Sequence, residues 1–126
     1  MSGKVLCIDD SKTIQLCLQL ALEGAGFTVL IAENGAVGLK LLEDNPDTGL
    51  IYLDVHMPVM DGFTCLQHIK DNPKTSHIDV IMVTTEGSKV KVERSKGLGA
   101  SGWIVKPIDE NIAVSVAEKY LGKRPA

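Results

Sequence analysis

The strongest constraint on this chain is an alternation. Five short apolar runs, at 5–8, 29–32, 50–53, 80–83 and 104–105, are separated by stretches long enough for a helix. Most of the runs lack the apolar-polar rhythm of a strand with one wet face, so they read as strands covered on both sides. Ile14, Cys17, Leu18, Ala21 and Ala25 follow a helical rhythm, with Asp10 or Ser11 as cap and Gly26 as terminator. Asn34 can cap a second helix carrying Ala36, Leu39 and Leu42 and ending by Asn45-Pro46. Asp61 can cap a third through Phe63, Leu66 and Ile69, ending near Asn72-Pro73. Asp109 and Glu110 open the last helix, with Ile112, Val116, Ala117 and Tyr120 on one face and Lys119 and Lys123 late, where the macrodipole favours cations.

The segment 87–99 is the weak link. Val90 and Val92 alternate like a strand, but the place between two strands asks for a crossover helix, here short of apolar anchors. Its Lys89, Lys91, Arg94 and Lys96 read as a solvated basic face, or as a loosely held element that can move or be recognised. The sum predicts an α/β fold, a doubly wound five-stranded parallel sheet with right-handed crossovers. A single domain over residues 1–126 is expected, with a frayed tail from Gly122 to Ala126.

Composition excludes more than it identifies. A hydrophobic share of 44% and a charged share of 23% suit a globular domain, and no apolar run approaches the length that spans a bilayer. A net charge of −3 gives no general attraction to nucleic acid or anionic membrane. Met1-Ser2-Gly3-Lys4 runs straight into a strand pattern without a secretory apolar region, so a cytoplasmic location is expected. Cys7, Cys17 and Cys65 form no C-x-x-C pair and read as buried small hydrophobes rather than a zinc site or disulfide framework.

The chemistry gathers where strands end. Asp9 and Asp10, Asp54, Thr84 and Lys106 each stand at the carboxyl end of an apolar run, and in a parallel sheet those ends open onto one crevice. One aspartate of the pair could simply cap the first helix, but that leaves the second and Asp54 unexplained. Three neighbouring carboxylates repel, and a divalent cation removes the cost. Mg²⁺ fits best, with Mn²⁺ as a substitute, because it takes oxygen ligands and keeps positions for water and phosphate oxygens. Asp54 is placed as a nucleophile toward a phosphoryl group, Lys106 as a point charge for it, and Thr84 as a hydrogen-bond donor to it.

With Asp9-Asp10, the D-x-x-M-P-x-M-D-G run from Asp54 to Gly62, Thr84, and G-A-S-G-W-I-V-K-P from Gly99 to Pro107, the chain resembles the receiver domains of bacterial two-component systems. More narrowly, it is similar to the single-domain, CheY-like chemotaxis response regulators, from Lys4 to about Leu121. The resemblance implies a flavodoxin-like (βα)5 fold with strand order 2-1-3-4-5. It implies that Asp54 accepts phosphate from a histidine kinase, and that Asp9, Asp10, Asp54 and the backbone carbonyl of His56 hold the metal. Lys106 would contact the phosphoryl group ahead of a cis bond to Pro107. Thr84 would move toward the phosphoryl group, with Trp103 in the aromatic switch position turning inward behind it. Tyrosine or phenylalanine is usual there, so Trp103 needs more space. Thr85 replaces a small residue and narrows access, while His56 and Glu86 flank the mouth and tune water attack.

The resemblance implies a signalling phosphoacceptor rather than an enzyme of metabolism, one that catalyses its own phosphotransfer and dephosphorylation. With no output domain expected, the signal passes as a monomer's contact to a separate protein such as a flagellar motor switch component, and a phosphatase is a further partner. A phosphate sink and a phosphate-independent docking receiver are the alternatives. A haloacid-dehalogenase-like phosphatase would want a D-x-D nucleophile after the first strand and a cap domain. A flavodoxin would want a hydroxyl- or glycine-rich phosphate loop there.

Overall fold

In the computed structural model, which describes residues 3–85 and 87–123, the apolar runs form β1 (Lys4–Ile8), β2 (Thr28–Ala32), β3 (Leu50–Asp54), β4 (Asp79–Thr84) and β5 (Gly102–Val105). Between and after them lie α1 (Lys12–Gly24), α2 (Gly35–Asp44), α3 (Gly62–Asp71), α4 (Lys89–Gly97) and α5 (Glu110–Leu121). Every pairing is parallel and the order is β2-β1-β3-β4-β5, as the family resemblance implied. The central strands are buried almost throughout, whereas the edges β2 and β5 are only partly covered. That explains why the central runs carry no polar alternation.

Alternate residues of each strand serve two cores. Leu6, Ile8, Ile51, Leu53, Val80 and Met82 pack with Leu42, Phe63, Leu66 and Ile69 under α2 and α3, joined by Leu98 at the end of α4. Val5, Cys7, Leu50, Tyr52, Ile81 and Val83 pack with Leu18, Leu22, Ala113, Ala117 and Leu121 under α1 and α5. The buried Tyr52 hydroxyl donates to the Ala113 carbonyl at 2.5 Å, tying β3 to α5. The sequence caps are present: Ser11, Asn34, Asp61 and Asp109 accept from N–H groups in the first turns of their helices, each contact worth about 1 kcal/mol. Ser11 rather than Asp10 caps α1, which leaves the Asp10 carboxylate for the crevice.

Two expected face residues are corrected. Ala36 is exposed, and α2 buries Gly35, Gly38 and Leu42 instead. A Cβ on Gly38 would collide with the Ile8 side chain, so the helix lies against the sheet through its glycines and its rotation follows from that contact. Ile112 is exposed too, because α5 faces the sheet through the smaller Ala113 and Ala117. The expected α1 face is largely present: Leu18 is buried, Ile14 and Ala25 pack against the same core and Cys17 and Ala21 are half-buried, with Gln15 and Leu22 buried beside them. Cys7 and Cys65 are fully buried, and burial pushes both thiols up, Cys65 to about 12, so they act as apolar filler.

The weak segment is a helix, as expected, and weakly held. Ser95 is the buried residue of α4, Val90 is 78% exposed, and the Ser88 side chain makes no capping bond. Among the described residues no helix is long and apolar enough to cross a membrane. The tail past Lys123 lies outside the described residues.

Candidate functional site

The acidic residues stand where strands lose their partners. Asp9 follows β1, its N–H still donating to Ala32 at 3.0 Å, and Asp54 is the last residue of β3, in register with Val83. Lys106 follows β5, held by a 2.6 Å bond from its N–H to the Thr84 carbonyl. Carboxylate oxygens of Asp9, Asp10 and Asp54 lie within 4.8 Å of one another, with Asp9 and Asp54 buried and Asp10 exposed. The Lys106 ammonium sits 3.0 Å from Asp9 Oδ2 and 3.4 Å from Asp54 Oδ1. The sequence-selected residues Asp9, Asp10, Asp54 and Lys106 are therefore brought together.

One ammonium does not balance three carboxylates. Burial first, then the Asp9 charge, lifts Asp54 to about 6, with Lys106 pulling it down and Asp10 adding to the rise. Burial works against the charge on Lys106, but its bonds and attraction to Asp9 and Asp54 outweigh it, and its pKa is raised. The cluster offers oxygen donors only, two of them buried, and its excess negative charge fits a hard divalent cation such as Mg²⁺ or Mn²⁺. Asp9 is the most committed of the three: Oδ1 accepts from the Ser11 N–H at 2.9 Å and Oδ2 faces Lys106. Asp10, exposed beside it, is the better placed to meet an ion arriving from solvent.

The loop after Asp54 is shaped by backbone contacts. The Gly62 N–H donates to the Val55 carbonyl at 2.8 Å, and any Cβ on Gly62 would run into the Asp54 carbonyl oxygen. The motif glycine is thus the residue that lets α3 start hard against the end of β3. Val59, β-branched and 79% exposed, takes φ 72°, a left-handed conformation that costs about 1–2 kcal/mol. The Lys106–Pro107 bond is cis.

Thr84 is fully buried at the end of β4, and its register opposite Val105 makes Trp103 its diagonal neighbour on β5. Trp103 is half-buried and stacks on Phe63, ring centroids 6.4 Å apart and planes 29° apart. The Arg94 guanidinium lies 4.3 Å from the centre of the same Phe63 ring. His56 and Thr85 are exposed near the strand ends, and Glu86 lies outside the described residues. Two arrangements stand out only in the folded chain: the Phe63 ring shared by Arg94 and Trp103, and Gln15, whose amide donates to the Asp9 carbonyl at 2.7 Å. The one signal for Gln15 was a polar residue three and seven positions before Leu18 and Leu22. A cavity of about 430 Å³ lined by Leu39, Leu42, Pro46, His68 and Thr75 contains none of these residues.

Comparison with known proteins agrees with this geometry. Residues 5–118 match the family described as response regulator receiver domain. The chemotaxis protein CheY1 of Helicobacter pylori is 32% identical over 120 residues, covering 94% of this chain and 97% of the relative. The solved structure of Vibrio cholerae CheY4 superposes with a TM-score of 0.89 at 31% identity, over 96% of this chain and all of that one. A chain of the CheX–CheY–BeF3–Mg²⁺ complex from Borrelia burgdorferi gives 0.86 at 29% identity, covering 92% of this chain and 87% of the other.

Proposed function

The chain belongs to the response regulator receiver domains, and from that membership we propose that Asp54 is a phosphoacceptor serving a histidine kinase in a chemotaxis-type pathway. The observation that carries the reading is the Lys106 ammonium bridging Asp9 and Asp54 inside a cluster of three carboxylates at the strand ends. An oxygen of Asp54 attacks the phosphorus of a phosphohistidine, the P–N bond breaks, and the imidazole leaves with the electron pair. Asp9, Asp10, Asp54 and the His56 carbonyl would hold Mg²⁺, which supplies positive charge against the phosphoryl oxygens. Lys106 exchanges part of its contact with Asp54 for a phosphoryl oxygen, and the Thr84 hydroxyl donates to another.

The output in this reading is a contact rather than a product. Movement of Thr84 vacates space beside its diagonal neighbour Trp103, whose reorientation alters the surface of α4, β5 and α5 for a partner protein such as a motor switch component. The Borrelia burgdorferi relative is found in a complex with CheX, BeF3 and Mg²⁺, which supports a protein partner and a phosphoryl-type ligand for this chain. Thr85, His56 and Glu86 govern water access and so the lifetime of the phosphorylated state, with a phosphatase as a further partner. Incubation with acetyl phosphate and Mg²⁺ should add one acid-labile phosphate, read by intact mass. No added mass, or a gain that survives Asp54→Asn, would sink the proposal.

A further inference from the structure

The α1 face that meets the sheet contains a polar intruder. Gln15 is buried between Asp9 and the apolar Leu18 and Leu22, at a place where an amide costs stability unless it is bonded. A methionine or leucine would fill that position without the cost. The amide is spent on a single atom, the Asp9 carbonyl oxygen, to which Nε2 donates at 2.7 Å.

That carbonyl belongs to the peptide group joining Asp9 to Asp10. On the β3 side the ladder of β1 ends with Ile8 opposite Leu53, so the sheet no longer fixes this peptide there. Three bonds close a ring around it: Gln15 Nε2 to Asp9 O, the Ser11 N–H to Asp9 Oδ1, and the Gln15 N–H to Ser11 O at 3.0 Å. Rotation of the Asp9–Asp10 peptide would swing the exposed Asp10 carboxylate away from the other two. The ring holds it where the three carboxylates approach within 4.8 Å.

We infer that Gln15 is a positioning residue for the cation site, its buried amide fixing the Asp9–Asp10 peptide plane so that Asp10 points at the ion. The inference rests on the reading of the acid cluster as a divalent-cation site. It assigns to Gln15 an effect on metal affinity beyond its effect on folding, since an apolar replacement of similar length keeps most of the packing while deleting the donor to the Asp9 carbonyl.

The test is calorimetric titration of the whole chain with Mn²⁺, beside thermal unfolding in EDTA, for wild type, Gln15→Met and Gln15→Leu. Both variants should melt within a few degrees of wild type in EDTA and bind Mn²⁺ about tenfold more weakly, as for loss of an outer-sphere partner. Unchanged Mn²⁺ affinity in a folded variant overturns the inference. Loss of the fold in EDTA by both variants also overturns it, assigning Gln15 to stability alone. Failure of the wild type to bind Mn²⁺ would instead remove the cation site itself, a distinct result.

Discussion

The two helices that follow β3 and β4 at the acid-cluster edge of the sheet are held in opposite ways. α3 buries Gly62, Phe63, Cys65, Leu66 and Ile69, and is capped by Asp61 through the Thr64 N–H. α4 buries only Ser95 of its residues, has no capping bond from Ser88, and reaches the core through Leu98 and the Arg94–Phe63 contact. A helix with a full apolar face opens with much of the global stability, whereas one held by a few contacts opens locally at low cost. The fixed half follows Asp54 of the acid cluster, and the loose half follows Thr84 and opens at the lower cost.

A matched pair of glycine substitutions tests this contrast most directly. Gly62→Ala puts a methyl against the backbone of Asp54 and Val55, which cannot yield, and should cost about 3 kcal/mol in urea unfolding. Gly97→Ala at the end of α4 meets nothing within 4 Å and should be neutral or stabilise by roughly 0.5 kcal/mol. Equal effects at the two sites would dissolve the distinction.

The electrostatics of the fixed half give the next largest effect. Asp54 rises from the ordinary 3.8 to about 6 on folding, so the folded state takes up a proton more readily than the unfolded one. The stability linked to that proton is full below pH 3.8 and is lost as pH climbs through about 6. In EDTA, Asp54→Asn should therefore stabilise the protein by about 2 kcal/mol at pH 7.5 and by almost nothing at pH 4. A variant less stable than wild type at pH 7.5 would show that Lys106 outweighs burial and the neighbouring carboxylates.

The smallest effect concerns the loose half. Arg94→Gln removes a cation–aromatic contact worth about 0.5–1 kcal/mol, and amide exchange in α4 should accelerate about threefold while α3 stays unchanged. Acceleration in both helices would mean that the Phe63 ring, not α4, depends on the arginine.

Strand runs, caps and site types were legible because each rests on local chemistry. Asn34, Asp61 and Asp109 cap their helices as read, and Asp9, Asp10, Asp54 and Lys106 meet because parallel topology carries every strand end to one edge. Helix phase was less legible. Ala36 and Ile112 fit a periodicity, but how a helix rotates on a sheet is set by what lies beneath it, here the Ile8 side chain against Gly38 and the sheet against Ala113.

From the amino-acid order alone came the α/β alternation, the doubly wound sheet and the acids and lysine that meet at the strand ends, since hydrophobic period and residue chemistry are properties of short segments. Tertiary structure alone decided that Gln15 holds the Asp9 carbonyl, that Gly62 leaves room for the Asp54 backbone, and that Arg94 and Trp103 share the Phe63 ring. Each of those is a contact between separate elements, and its existence depends on distances that only the packed chain sets.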